Sequence, residues 1–386
     1  MFKKELELLK KENLFRSFRY MESAQGPRII LDGRRVINMC SNNYLGLADH
    51  PLLKEASKKI IDEYGVGCGA SRLVGGNNIL YRELEGRLAV FKETEAALVF
   101  NSGYAANIGI LQGISGKIDV IFSDRLNHAS IVDGIILSRA NFKRYPHKDF
   151  KALEDMLSKE DRAKKKLIVT DTVFSMDGDI APLPDIIELA ERFNAMVMVD
   201  EAHATGVLGK DGKGALSHFG LKGKAQIQMG TFSKAFGGFG AFVCGSNELI
   251  EFLINTSRSL IYTTALPPSV LASNIAALNI VESEPAIRQR LWENVEYFKK
   301  GLLSHKFDIS ESETPIIPII LKDNELTMNF SRMLLEEGVY IQGIRPPTVP
   351  QGSSRLRITV IATHTREDMD KALKAIVKIA RKLEIL

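Results

Sequence analysis

Short apolar runs alternate with amphipathic stretches from about residue 95 to residue 265. Each run is followed by a turn that contains glycine or serine, and in chain order the runs are AALVF, IDVIFSD, KLIVTDTVF, AMVMVDEAH, IQMGTF and GAFVCG. Several of them are apolar at consecutive positions, which is typical of strands covered by helices on both faces of a sheet. Between them, LPDIIELAERFNA and DFKALEDMLSKEDRAKKK show helical spacing. The pattern predicts an α/β fold with a mostly parallel sheet.

The pattern changes after the segment TTALPPSV. A long helical region over roughly residues 268–305 is followed by PIIPIIL, a helix around NELTMNFSRMLLEEG, the strand RLRITV and a final helix. We therefore expect a large α/β domain over residues 46–265 and a smaller α+β domain over residues 266–386. The first 45 residues are too short to fold alone, so we expect them to pack on the smaller domain.

Composition places the chain among ordinary globular proteins. Of its 386 residues, 45% are apolar and 25% are charged, and the net charge of +4 comes from scattered lysine and arginine residues, which argues against nucleic acid as a partner. The opening MFKKELELLKKENLF is unlike a signal peptide, and no apolar run approaches the roughly 20 residues of a membrane helix. We expect a cytoplasmic protein without a membrane partner. Cysteines and histidines lack metal-ligand spacing, so no metal site is predicted.

Polar residues that follow the predicted strands are the first candidates for a site, because ligands of open α/β sheets bind at the carboxyl ends of the strands. After ALVF, the residues Ser102, Gly103 and Tyr104 open a helix whose amides and dipole suit an anion such as phosphate. His128 follows IFSD, and Ser175 follows VTDTVF. Turn residues and helix caps of these types are also common.

Two charged residues at later strand ends need an explanation of their own. Asp200 ends a buried apolar run, where a carboxylate is costly unless a salt bridge, a helix cap or a protonated heterocyclic nitrogen compensates it. Lys234 lies in MGTFSKAFGGFGAF, beside Thr231 and Ser233, either as part of a flexible surface turn or as a Schiff-base nucleophile with a pKa lowered by desolvation. Pyridoxal phosphate (PLP) accounts for both residues, because it needs a lysine, an acidic partner for its ring nitrogen and a phosphate-binding cup.

Other nucleotide and hydrolase chemistries lack their motifs. DEAHATG is similar to a string in nucleotide-driven helicases, but the phosphate loop G-x-x-x-x-G-K-[ST] is absent from the chain. GVGCGA has the spacing of a dinucleotide fingerprint, yet it follows a helical stretch instead of a strand. Neither H-E-x-x-H nor G-x-S-x-G occurs. A helicase, a dehydrogenase, a metalloprotease and a serine hydrolase are therefore disfavoured.

With these residues in place, the chain closely resembles the α-oxoamine synthases, PLP enzymes of the aspartate-aminotransferase-like fold (fold type I). The matching motifs, in the family's order, are CSNNYLGLADHP, NSGYAAN, DRLNHASIVDG, VFSMDGDIAPL, VDEAHATGVLG, TFSKAFGGFGA, YTTALPP and RLRITVIATHT. The segment IRPPTVP, residues 344–350, resembles the members that join a pimeloyl thioester to L-alanine in biotin synthesis. The resemblance implies a decarboxylating C-acyltransferase, with glycine and acetyl coenzyme A (CoA) as the alternative substrate pair.

The resemblance also implies roles for individual residues around the cofactor. Lys234 bonds to PLP, Asp200 partners the pyridinium nitrogen, and His128 stacks on the ring. His203 and Ser175 lie near the phenolic oxygen and the reacting carbonyl. The residues implied at the phosphate are Ser102, Gly103, Tyr104, Thr231 and Ser233.

Substrate contacts and assembly follow from the same resemblance. Arg355 is implied to bind the alanine carboxylate, with Asn42 in the same region, while Arg16 and Arg345 are candidates for the distal end of the acyl group. Thr263 or Thr264 reaches the phosphate of a neighbouring subunit, which implies a homodimer with shared active sites. Some family members lack the lysine and serve as silent scaffold subunits; Lys234 argues against that alternative here.

Overall fold

A computed structural model describes residues 2–386, which form two compact units. The first, called here the sheet unit, consists of His50–Phe174 and Ile180–Pro285. The second, called the terminal unit, consists of the described residues up to Asp49 together with Ser175–Asp179 and Ala286–Leu386. The sequence placed the second boundary at residue 265, whereas the division by contacts falls after Pro285.

Helices and strands alternate along most of the chain. The helices of the described residues are α1 (Phe2–Lys11), α2 (Pro51–Tyr64), α3 (Ile79–Lys92), α4 (Gly103–Gly113), α5 (Ala129–Ser138), α6 (Phe150–Ser158), α7 (Leu183–Arg192), α8 (Ala215–His218), α9 (Asn247–Thr256), α10 (Arg258–Ile261), α11 (Pro268–Ser283), α12 (Pro285–Ser304), α13 (Asn324–Glu336) and α14 (Arg366–Lys382). The strands are β1 (Arg28–Leu31), β2 (Arg34–Asn38), β3 (Ala96–Phe100), β4 (Val120–Asp124), β5 (Asn141–Tyr145), β6 (Lys166–Asp171), β7 (Ala195–Asp200), β8 (Ile227–Thr231), β9 (Ala241–Gly245), β10 (Ile316–Lys322), β11 (Val339–Tyr340), β12 (Gln342–Ile344) and β13 (Ser354–Thr359). Over residues 2–386, none of the helices has the length and apolar character needed to cross a bilayer.

The sheet unit is built on a sheet of seven described strands in the order β3-β9-β8-β7-β6-β4-β5. Strands β5, β4, β6, β7 and β8 are parallel, while β9 runs antiparallel to both β8 and β3. This arrangement confirms the predicted mostly parallel sheet, and each of the six predicted runs contains a strand. Strand β5 was not predicted, because NFKRY carries two cations and buries only Tyr145 at the sheet edge.

Both faces of this sheet are covered. Alternate strand residues such as Phe100, Val169 and Met198 pack with helix residues Ile110 and Ile131 in one apolar cluster. The strand residues between them, which point to the opposite face, are also fully buried, for example Val99, Ile168 and Val197. Burial on both faces explains why these strands are almost continuously apolar in the sequence.

Two helical predictions differ from the structure in extent. Helix α6 ends at Ser158, before the charged stretch KEDRAKKK that was assigned to it. The helical region over roughly 268–305 is two helices, because α11 ends at Ser283 and Pro285 begins α12. A proline fits the first turn of a helix, where its missing N–H has no intrahelical acceptor.

The terminal unit contains two three-stranded sheets, ordered β1-β2-β11 and β10-β13-β12. Strand β11 pairs in parallel with β2, which joins the N-terminal hairpin to the C-terminal part of the chain. Helix α13 packs on strands of both sheets and on α14. A Thr365–Asp368 capping box begins α14, since each side chain accepts the other residue's backbone N–H.

Candidate active site

The carboxyl ends of four parallel strands bring polar residues to one edge of the central sheet. Strands β4, β6, β7 and β8 end at Asp124, Asp171, Asp200 and Thr231. The register places Asp171 opposite Asp200, and Asp200 opposite Met229 two residues before the end of β8. His128, His203 and Lys234 each follow one of these strands within a few residues. The structure therefore brings these predicted residues to the same sheet edge, where α/β proteins bind ligands.

Asp200 is a buried carboxylate held by neutral donors. It is only 3% exposed; its Oδ2 accepts from the Asn107 side-chain amide at 2.8 Å, and its Oδ1 accepts from the Ala202 amide at 2.9 Å. Asn107, on α4, also donates to Ser130 Oγ at 2.9 Å, and its Oδ1 has no partner among the described residues. These donors orient Asp200 without neutralising it, so its remaining lone pairs suit a cationic N–H group on a ligand.

Asp171 is a second buried carboxyl group beside Asp200, and sequence reasoning missed it. Burial and the neighbouring Asp200 raise the pKa of Asp171 well above its ordinary value, against the opposing effects of the His128 amide and the Lys234 cation. Its Oδ2 accepts the His128 N–H at 2.6 Å. The sequence feature that could have identified Asp171 as a site residue is its position. Asp171 ends the apolar run KLIVTD, just as Asp200 ends the apolar run AMVMVD.

His128 caps α5 and presents a neutral ring. Its Nδ1 accepts from the Ser130 amide at 3.3 Å, so the geometry assigns the ring proton to Nε2. Burial lowers the pKa of His128; Asp200 opposes this shift and the Lys234 cation adds to it. A neutral imidazole suits stacking on an aromatic cofactor.

The second histidine of the cluster, His203, is 7% exposed and lies in the turn after β7.

The loop that carries Lys234 is closed by backbone hydrogen bonds that glycines make possible. Phe232 N–H donates to the Gly240 carbonyl at 3.0 Å, and Gly238 N–H donates to the Phe232 carbonyl at 2.9 Å. Gly240 has a φ of +100°, and a Cβ on Gly238 would lie 2.0 Å from Asn274 Oδ1. The Lys234 cation affects the pKa of both His128 and Asp171, which places the amine within electrostatic reach of the strand-end cluster.

A helix start and two hydroxyls provide donors for an anion. Ser102 caps α4 by accepting the Ala105 N–H at 3.1 Å, and the amides of Gly103 and Tyr104 precede the intrahelical hydrogen bonds. Thr231 Oγ1 donates to the Gly240 carbonyl at 2.8 Å and lies 2.7 Å from Ser233 Oγ. The Tyr104 hydroxyl donates to Asp133. A lysine, a buried carboxylate and an anion-binding helix start together form a donor set that fits PLP.

Thr263 and Thr264 lie beside the residue that precedes this helix start. The side-chain amide of Asn101 donates to Thr263 Oγ1 at 3.3 Å and to the Thr264 carbonyl at 2.7 Å. The predicted contact of these threonines with the phosphate of a neighbouring subunit stays a prediction.

Two arginines of β13 differ in their partners within the terminal unit. Arg355 forms an ion pair with Asp177. Arg357 donates to the Ser175 carbonyl at 2.6 Å and to Asn42 Oδ1 at 3.0 Å; it is 7% exposed, and no carboxylate in residues 2–386 pairs with it. Sequence reasoning chose Arg355 and passed over Arg357, although residues two apart on a strand share one face. The structure groups Ser175 and Asn42 with Arg357.

A cavity of about 770 Å³ lies in the terminal unit. Its lining includes Arg16, Ile344, Arg345 and Thr348, the last three from the segment IRPPTVP. Arg16 Nη2 lies 3.4 Å from Thr348 Oγ1. Thr348 was not singled out from the sequence.

Comparison with known proteins agrees with this geometry. The family of class I and II aminotransferases matches residues 34–376, and the chain belongs to this family and, within it, to the PLP-dependent α-oxoamine synthases. The chain is 53% identical to an 8-amino-7-oxononanoate synthase of Geobacter sulfurreducens over 99% of this chain and 98% of that protein. It is 50% identical to one of Thermoanaerobacter pseudethanolicus over 100% of this chain and 98% of that protein.

Solved structures give the same family. A lysine-to-alanine variant of serine palmitoyltransferase from S. paucimobilis, solved with a bound PLP–myriocin aldimine, superposes with a TM-score of 0.95 at 31% identity over 100% of this chain and 98% of that chain. An 8-amino-7-oxononanoate synthase from Francisella tularensis gives 0.79 at 32% identity over 91% of this chain and 99% of its own. The predicted fold and family are confirmed.

Proposed function

We propose that this chain catalyses the decarboxylative condensation of L-alanine with a pimeloyl thioester, the reaction of an 8-amino-7-oxononanoate synthase in biotin synthesis. Carbon dioxide and the free thiol leave, and the amino ketone is the product. The observation that carries the proposal is a lysine and a buried carboxylate at neighbouring strand ends, in a chain that matches relatives of that name along its full length.

The sheet unit supplies the groups that would hold PLP. When bound, PLP supplies an electron sink for the negative charge that develops on the amino-acid α-carbon. Lys234 would bond to it, and Asp200 would keep a proton on the ring nitrogen. The amides of Gly103 and Tyr104 and the hydroxyls of Ser102, Thr231 and Ser233 would bind the phosphate, with Thr263 or Thr264 contributed by a second subunit.

Lys234 would transfer a proton, and His203 would donate a hydrogen bond. The Lys234 amine would remove the α-proton of the amino acid as a general base. His203 would donate a hydrogen bond to the carbonyl that forms from the thioester, with Ser175 near the phenolic oxygen. The neutral ring of His128 would stack on the cofactor.

The terminal unit supplies an arginine for the carboxylate of alanine. Arg355, the residue chosen from the sequence, is already neutralised by Asp177. Arg357 has neutral acceptors only and is oriented by Ser175 and Asn42, so we assign the carboxylate to Arg357. Asn42 then acts as a positioning residue.

Steady-state assays with defined substrate pairs test this function. The purified protein with PLP is given L-alanine with pimeloyl-CoA and, separately, glycine with acetyl-CoA, the pair of 2-amino-3-ketobutyrate CoA ligase. We expect kcat/KM for the first pair to exceed that for the second by at least about 100-fold, because pocket discrimination of this size is common when a site matches one acyl group.

A lysine variant separates chemistry from binding. Lys234→Ala should abolish the absorption band of the bond between lysine and cofactor and reduce kcat by at least about 10⁴-fold. Normal turnover by Lys234→Ala would refute the proposed mechanism. Faster turnover of glycine with acetyl-CoA than of L-alanine with pimeloyl-CoA by the native protein would favour the alternative function.

We further propose that the enzyme is a cytoplasmic homodimer.

A further inference from the structure

A chain of hydrogen bonds joins the buried carboxylate of Asp200 to the ring of His128. The Asn107 side-chain nitrogen lies 2.8 Å from Asp200 Oδ2 and 2.9 Å from Ser130 Oγ. Ser130 Oγ in turn lies 2.7 Å from His128 Nδ1. Asn107 on α4 and Ser130 on α5 are fully buried. These four residues are called here the relay.

The chemistry of the four groups fixes the direction of each hydrogen bond in the relay. An ionised carboxylate only accepts, so the amide nitrogen of Asn107 must face Asp200, and its second N–H is directed to Ser130 Oγ. The Ser130 hydroxyl is then free to donate to His128 Nδ1. A ring nitrogen that accepts carries no proton, so an ionised Asp200 at one end of the relay matches a neutral His128 at the other.

The backbone of His128 is held by the neighbouring strand end. Its N–H donates to Asp171 Oδ2 at 2.6 Å, and Asp171 lies opposite Asp200 in the register of β6 and β7. The Ser130 N–H adds a longer hydrogen bond of 3.3 Å to His128 Nδ1. Two strand ends therefore fix this residue, since Asp171 holds its backbone and Asp200 holds its ring through the relay.

We propose that Asn107 and Ser130 are positioning residues, which keep the His128 ring neutral and at a fixed rotation by linking it to the ionised Asp200. The proposal rests on the proposed function, in which Asp200 partners the ring nitrogen of PLP and His128 stacks on the same ring. The relay would then align two residues that contact one planar cofactor at its edge and at its face. Buried hydrogen bonds that lock side-chain rotamers are the usual means of holding such contacts in place.

The first measurement is the titration of the His128 ring in the PLP-bound full chain. Nitrogen-15 NMR of labelled histidines reports the pKa and hydrogen bonding of each ring, and His128→Phe identifies the His128 signals by their loss. We expect a native pKa below the ordinary value of histidine, because burial disfavours the charged ring. Ser130→Ala should raise this pKa by about 0.7 and shift the Nδ1 resonance, since a hydrogen bond to the neutral ring is lost.

A matched control separates the relay from the stability of the helix. Ser138→Ala removes another buried hydroxyl of α5, which donates to the Ile135 carbonyl at 2.6 Å, and should leave the His128 titration unchanged. Neither serine variant alters the charged groups that act on the His128 ring or bind its backbone. These are Asp133 on α5, Asp171, Asp200 and Lys234.

Asn107→Leu breaks the link in the middle of the relay. Asp200 Oδ2 loses the Asn107 donor, so the PLP dissociation constant should rise about tenfold or more. The His128 Nδ1 resonance should move as well, because Ser130 Oγ no longer accepts from Asn107 and its rotation is no longer fixed. In the variant that combines Asn107→Leu with Ser130→Ala, the loss in kcat/KM for L-alanine should be well below the product of the single losses, since both substitutions break one relay.

The outcomes distinguish this proposal from the proposed function. An unchanged pKa and an unchanged Nδ1 resonance of His128 in Ser130→Ala would overturn the proposal, and so would single losses that multiply in the combined variant. An equal effect of Ser138→Ala would reduce the role of Ser130 to helix stability. If the variants change the His128 titration and PLP binding as expected, but the native protein does not turn over L-alanine with pimeloyl-CoA, the positioning role stands and the proposed function fails.

Discussion

A guanidinium binds a substrate carboxylate best when no protein carboxylate already neutralises it. Arg357 meets this condition, whereas Arg355 is paired with Asp177. We predict that Arg357→Lys raises KM for L-alanine by about 30-fold or more and leaves KM for pimeloyl-CoA unchanged, because a lysine loses the bidentate geometry. Steady-state kinetics at varied alanine concentration measure the effect.

The matched control for this residue is Arg355→Lys. A lysine can keep the ion pair with Asp177, so KM for alanine should change by less than about threefold. A larger effect at Arg355 than at Arg357 would restore the assignment made from the sequence. The sequence could not separate the two arginines, because they share one face of β13 and differ only in contacts with Ser175, Asp177 and Asn42, which are distant along the chain.

At the scale of elements, a buried ion pair joins the end of α3 to the turn after β7. Lys92 and Glu201 are 6% and 0% exposed and form a salt bridge, and Glu201 also accepts the Leu216 N–H at 3.0 Å. Glu201 lies between Asp200 and His203. We predict that Lys92→Met lowers the free energy of unfolding by about 3 kcal/mol, because it leaves Glu201 charged and unpaired.

Thermal unfolding and a double-mutant cycle measure this pair. Lys92→Met with Glu201→Gln should recover part of the stability lost in Lys92→Met, since neither charge is then buried alone. Additive losses in the double variant would show that the two side chains act independently. The surface pair Lys371–Glu367 provides the control, because loss of an exposed helical pair should cost at most about 0.5 kcal/mol.

The elements themselves were predictable to different degrees. Strands β6 and β7 were recognised because both faces are buried and the runs are almost wholly apolar. Strand β5 was missed because an edge strand with one buried residue carries little pattern. Asp171 was missed although it ends β6, since a strand-end aspartate gains its meaning only when the register places it opposite Asp200.

For the molecule as a whole, the ordered motifs predicted the fold and the family, because many short segments resemble the motifs of the α-oxoamine synthases in sequence, order and spacing. The segment Ser175–Asp179, by contrast, belongs to the terminal unit although the chain on both sides of it belongs to the sheet unit. Its contacts, such as Thr314 Oγ1 to the Gly178 carbonyl at 2.9 Å, join residues more than a hundred positions apart. No local pattern contains such information.

Several large apolar side chains of the sheet unit are exposed on its surface. Val66, Leu73, Val74 and Tyr262 are 75%, 60%, 83% and 72% exposed. The Ala265 N–H donates to the Ala70 carbonyl at 3.0 Å, so the two segments that carry these side chains are neighbours. A cluster of large exposed apolar side chains is typical of a protein interface.

We therefore predict that Val74→Glu makes the proposed homodimer monomeric at micromolar concentration, because a charge at the centre of an apolar interface is buried without a partner. Light scattering after size exclusion measures the molar mass. Val90→Glu, at an exposed position of the otherwise largely buried helix α3, is the control and should leave the oligomeric state of the native protein unchanged. If Thr263 or Thr264 completes the neighbouring phosphate site, the monomer should also bind PLP at least about tenfold more weakly. A native protein that is monomeric, or a Val74→Glu variant that remains dimeric, would show that this surface is not the interface.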